Sequence, residues 1–187
     1  MTLKDMKRKV YALIEELNPE SETLTDDPDL QAKFNEVANQ VMFELARMKK
    51  IPKFVKLDVS EGDTIEFADI EKVCGYEVYQ LGNVTGVEVE YRANGTVLEV
   101  QESGTAKIDC FVYPERIAEN TKDKAYEFEL SPDVLEVIPY GIAADLLKAD
   151  VSVDYGKIYA DRYENMKMQL DSRYAMPSIT FEGGYSV

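Results

Sequence analysis

Histidine and tryptophan are missing from this chain, and only two cysteines occur among its 187 residues. Without histidine there can be no Ser–His or Cys–His nucleophile pair and no His-ligated metal site. Cys74 and Cys110 lack CxxC spacing and read as free buried thiols of a reducing compartment. The phosphate loops GxGxxG and Walker A are absent, as is the GxSxG elbow. No apolar run approaches the ~18 residues that a membrane span needs. The opening "MTLKDMKRKVYALIEELNPE" interleaves charges with apolar residues, unlike a secretory signal, so the expected location is the cytoplasm. No catalytic centre, cofactor or metal site is expected.

What is abundant is negative charge. The formal net charge is -15, from 36 acidic and 21 basic residues. Such an excess disfavours general nucleic-acid binding, which rests on cations displacing counterions from phosphate. It does not exclude a surface that DNA passes without sticking. Carboxylate pairs abound by chance, and a two-carboxylate hydrolase is the weakest of three readings. "TDDPD" at 25–29 reads as a helix cap rather than a calcium loop, and "EGD" at 61–63 as a hairpin turn. Arg47, Lys49, Lys50, Lys53 and Lys56 form a local basic cluster that complements the end of a helix or touches phosphate. Tyr155, Tyr159 and Tyr163 recur at steps of four and read as a packed seam between helices.

The apolar period changes twice along the chain. Steps of three and four predict helices over 2–17, with Thr2 and Asp5 as a capping box, and over 28–50, with Asp27 as N-cap and Pro28 at the first position. From 54 to 130 the period becomes two. Strands are expected in "FVKLDVS" and "DTIEF", joined by Glu61-Gly62, then in "GYEVYQL", "GVEVEYRA" and "TVLEVQE", the last two joined through Asn94-Gly95. "TAKIDCFVY" and "AYEFEL" complete the set. Helix resumes at Ser131-Pro132, breaks at Pro139, restarts at Gly141, and returns after Ser152 or Asp154. The expected class is α+β: a helical domain formed by both chain ends (1–53 plus 131–176) and an inserted antiparallel β domain (54–130), a small sandwich or barrel. An extended tail occupies 177–187.

Within "EVIPYGIAADLLKAD", Pro139, Tyr140 and Gly141 interrupt two helix-prone stretches and read as a structural corner. With the Tyr113-Pro114 turn, the acidic-hydrophobic strand before Ser131-Pro132, "AADLLKAD" and the Tyr-rich final helix, this corner resembles the C-terminal half of head–tail connector (neck or adaptor) proteins of tailed bacteriophages and prophages. The resemblance covers roughly the last 80 residues, and the chain departs from the family in its long β region.

It implies a structural subunit joining the portal-bearing head to the tail, self-associated into a twelvefold ring around the DNA channel. Partners would be portal and tail-side proteins, with no sequence-specific nucleic acid binding and no membrane. The location would be the virion, and the bacterial cytoplasm during assembly. The alternative is a binding module whose β domain recognises a peptide or glycan. Ile179, Phe181 and Tyr185 alternate along the tail, which marks it as a strand-like docking segment.

Overall fold

The computed structural model describes residues 1–92, 95–148 and 153–170, the side chains of 153–155 excepted. Among these the fold is mixed α+β, with five helices and two three-stranded antiparallel sheets.

Helix α1 (Leu3–Leu13) begins at the expected capping box, Thr2 Oγ1 accepting from the Asp5 N–H at 3.2 Å and Asp5 Oδ2 from the Thr2 N–H at 3.1 Å. It stops earlier than Asn18-Pro19 would require. Glu15 turns to φ 62°, and the Glu16 N–H reaches back to the Tyr11 carbonyl at 2.9 Å. Helix α2 (Pro28–Met48) is capped by Asp27, whose Oδ1 accepts from the N–H groups of Asp29 and Leu30.

The strands are β1 (Ile51–Val59), β2 (Thr64–Glu66), β3 (Val78–Thr85), β4 (Val89–Arg92), β5 (Val97–Val100) and β6 (Gly104–Val112). The first sheet has the order β1-β6-β3 and the second β2-β5-β4. The expected hairpin through Glu61-Gly62 does not form. The turn carries the chain from one sheet to the other, and β1 and β2 pair instead with β6 and β5. The three connections 60–63, 86–88 and 101–103 therefore lie along one crease. Gly86 is required there: at φ +91°, an added Cβ would approach the Thr105 carbonyl oxygen to 2.4 Å. The β4–β5 pairing follows expectation, with Arg92 opposite Val97, although Asn94 itself lies outside the described residues. Helix α3 (Phe67–Cys74), unforeseen in the sequence, follows β2 and buries Ile70 in the core that the strands form. Both sheets and α3 share one core, in which Val55, Ile65, Leu98 and Ile108 are buried.

The last two helices are α4 (Pro132–Leu147) and α5 (Val153–Gln169). The expected corner at Pro139, Tyr140 and Gly141 is corrected: α4 runs through all three residues as one helix. Pro139 removes one N–H and leaves the Leu135 carbonyl without its i+4 donor, at a cost of up to ~3 kcal/mol. Burial outweighs it, since Val134, Val137, Ile138, Ile142, Ala143 and Leu146 enter the second core. Leu3, Met6 and Val10 of α1, Phe34, Val41 and Leu45 of α2, and Tyr163 of α5 meet them there.

The expected strand "AYEFEL" is also corrected. It makes one isolated bridge, Glu127 with Thr2, flanked by bonds from Leu3 N–H to Tyr126 O and from Phe128 N–H to Met1 O. Tyr126, Phe128 and Ile117 belong to the helical core, so the β core ends at Val112 rather than near 130.

Candidate functional site

Two surfaces of the β layers and one junction bring together the chemistry-bearing residues. The junction is centred on Tyr113, directly after β6. Its ring stacks on Phe43 of α2 (4.7 Å between centroids), tilts against Tyr79 of β3 (4.8 Å) and lies under the Arg47 guanidinium. Arg47 Nε donates to the Tyr113 hydroxyl at 2.5 Å, and Tyr79 donates to the Ala46 carbonyl at 2.8 Å. Burial, with Tyr113 beside it, pushes the Tyr79 phenol up to about 12. These contacts fasten the sheet to the end of α2.

The basic cluster seen in the sequence is divided by this junction. Arg47 is used at Tyr113, Lys49 pairs with Asp133 at 3.1 Å, and Lys53 covers the Tyr76 ring at 3.9 Å. Lys50 covers Phe111, and Lys56 projects from the outer face of β1. There the register sets Lys56 directly opposite Lys107, with exposed Phe54 facing Asp109 one pair along and Asp58 facing Thr105 on the other side. Like charges placed directly opposite destabilise a sheet, and among the described residues no ion pair relieves either lysine. The second sheet repeats the arrangement with the other sign: Glu90 stands opposite Glu99, but Arg92 bonds to both. Lys107 and Phe54 escaped the sequence reading. Lys56 and Lys107 are remote in the chain, and only the β1–β6 register joins them.

The remaining sequence candidates resolve as structure. Gly141 meets α2 and α5: a Cβ there would lie 2.9 Å from Val41 Cγ1 and 2.8 Å from Tyr163 Cε2. Tyr140 is half-buried under the Arg162 guanidinium, 4.5 Å from its ring. Tyr163 donates to Glu44 Oε2 at 2.9 Å and Tyr159 to the Leu13 carbonyl, so the tyrosine seam packs as expected at these two positions. Cys110 is buried in the β core with its thiol pushed up to about 11 by burial, with Cys74 beside it; both are free. Among the described residues no group of three acidic or thiol side chains converges on a metal position, and no helix is long and apolar enough to cross a membrane. Ile179, Phe181 and Tyr185 lie outside the described residues. No family model matches the chain, and no curated protein matches it.

Proposed function

We propose that this chain is a structural subunit of a phage neck, joining the portal-bearing head to the tail around the DNA channel. In this reading a helical unit is assembled from both chain ends, and the β layers form an inserted unit. The observation that carries it is the position of the residues behind the resemblance. Tyr113, Gly141 and Tyr163 are packing-critical and fall at the contacts that join α2, α4, α5 and the sheet. In this reading the pattern marks an architecture rather than a chemistry.

The Lys56–Lys107 pair beside Phe54 is the contact surface this role would use. The outer face alternates charge around an exposed ring, with Asp109 opposite Phe54 and Asp58 beyond the lysine pair, and such a mixed face fits one of complementary pattern on a neighbouring copy. The tail residues Ile179, Phe181 and Tyr185 would add a second, strand-like contact.

The test is to mix the purified chain with phage head and tail precursors and to follow joined particles by electron microscopy. Wild type is expected to be incorporated. Lys56→Glu/Lys107→Glu and a chain ended after Ala175 are expected to melt normally yet fail to join particles. A wild-type chain that never enters particles defeats the neck reading. Retention of a ligand on a glycan or peptide array would then favour a binding module.

A further inference from the structure

The two edges of the first sheet are built differently. β3 is broken twice by extra residues, between Val78 and Gln80 and between Leu81 and Val84, and such bulges turn an edge away from foreign strands. β1 keeps an unbroken register with β6 over all nine of its residues. Which of its main-chain groups face outward follows from β6. The Tyr113 N–H crosses to the Glu77 carbonyl on the β3 side, so β6 turns its odd residues to β3 and its even ones to β1. Lys53, Val55 and Leu57, opposite Cys110, Ile108 and Ala106, therefore bond to β6. Pro52, Phe54, Lys56 and Asp58 turn their main chain away, a position that suits Pro52 because it has no N–H to lose. Among the described residues no main-chain bond reaches Phe54, Lys56 or Asp58 from outside the sheet.

A cavity of about 330 Å³ opens beside the end of β1, walled by Leu57, Val59 and Ile65 together with three aspartates. Each aspartate is engaged: Asp58 by the Thr105 hydroxyl, Asp63 by the Ser60 N–H, and Asp69 by Lys72 and the Glu66 N–H. Leu57 and Val59, only half-buried, are what remains to be covered. On the opposite face of the same strand Lys56 stands against Lys107. A strand added here would therefore carry apolar side chains on one face and a carboxylate on the other.

We propose that residues 178–184 of a second copy of this chain add to β1 as an antiparallel strand. The sequence "SITFEGG" alternates as this edge requires. With Glu182 opposite Lys56, Phe181 falls opposite Leu57 and Ile179 opposite Val59, beside the cavity. Thr180 then meets Asp58, and the two glycines pass Val55 and the bulky Phe54. A slip of one residue would put both apolar side chains on the charged face.

The donor is a neighbour rather than the same chain. Lys167, in the last turn of α5, pairs with Glu44 of α2, the helix that leads into Ile51. Val59 lies at the other end of β1, ~30 Å further on at ~3.3 Å per residue. The stretch from Leu170 to Ile179 spans at most ~32 Å when fully extended, so its own β1 is within reach only of a straight chain. A second copy has no such limit. The inference rests on the neck reading only for the purpose of the contact.

The test is hydrogen exchange on the full chain over a concentration series, with sedimentation alongside. The amides of Phe54, Lys56 and Asp58 are expected to become protected as the chain self-associates. Phe181→Asp and Lys56→Glu are each expected to weaken the association about tenfold or more without changing the melt, and Lys56→Glu combined with Glu182→Lys to restore it. The proposal is overturned if these amides exchange freely at every concentration, or if they are already protected in the monomer. It is equally overturned if Phe181→Asp associates like wild type, since β1 would then pair with something other than this segment. A chain that associates in this way yet never enters phage particles supports strand addition and defeats the neck reading alone.

Discussion

Gly141 and Pro139 are two residues apart in one helix, and their places there have different physical causes. Glycine is needed because α2 and α5 approach the α4 backbone so closely that no Cβ fits. Its backbone is helical, so the left-handed freedom of glycine has no part in it. Gly141→Ala is therefore expected to destabilise, although alanine is the better helix former by ~1 kcal/mol. Overpacking against Val41 and Tyr163 should cost about 1–3 kcal/mol, and Val41→Ala in the same chain should recover part of it. Urea unfolding of the two variants measures both. A Gly141→Ala protein as stable as wild type would mean that α5 can move away from α4 at no cost.

At the scale of elements, what the sequence revealed was local and what it hid was pairing. Caps and turns were legible: Thr2–Asp5, Asp27-Pro28 and the β4–β5 hairpin are decided by neighbours in the chain. The Pro139 break was misread because tertiary burial of α4 overrides propensity. Helix α3 was missed because "TIEF" alternates like a strand. Yet Phe67, Ile70 and Cys74 keep helical spacing, and Gly75 follows in the left-handed conformation of a helix end. The Lys56–Lys107 pair was hidden by chain separation. The segment after β6 shows the same limit. It leaves the sheet because Asn39 of α2 holds it, accepting from the Ile117 N–H at 2.8 Å and donating to the Ile117 carbonyl at 2.9 Å. Asn39→Ala strands two buried main-chain groups and is expected to cost about 2–4 kcal/mol. Asn35→Ala, which loses an exposed bond to the Ala118 carbonyl, should cost under ~1 kcal/mol. Equal urea midpoints for the two would show that Asn39 does not anchor the segment.

At the scale of the whole molecule, the acidic surface encloses cores that rely on protonated phenols and a thiol. Burial is the first cause in each case: it pushes Cys110 up to about 11 and Tyr79 up to about 12, and raises Tyr11, Tyr126 and Tyr163 further. Glu44, which accepts from Tyr163, and Glu115, near Tyr126, add to the shift. In the unfolded chain the same groups lose their protons at about pH 8.5 to 10. Above that range the unfolded state binds fewer protons than the folded one, so stability falls as pH rises. The contribution is complete below about pH 8 and is lost progressively from about pH 9 through pH 12. Deprotonation of lysines adds in the same direction by deepening the net negative charge, but salt screens that part and leaves the burial part in place. The urea midpoint should therefore decline above about pH 9 even at high salt, and tyrosinate absorbance should appear together with unfolding rather than before it. A midpoint that stays level to about pH 11 at high salt, or absorbance that rises fully while the fold persists, would place these phenols in contact with water and contradict the burial on which both cores rest.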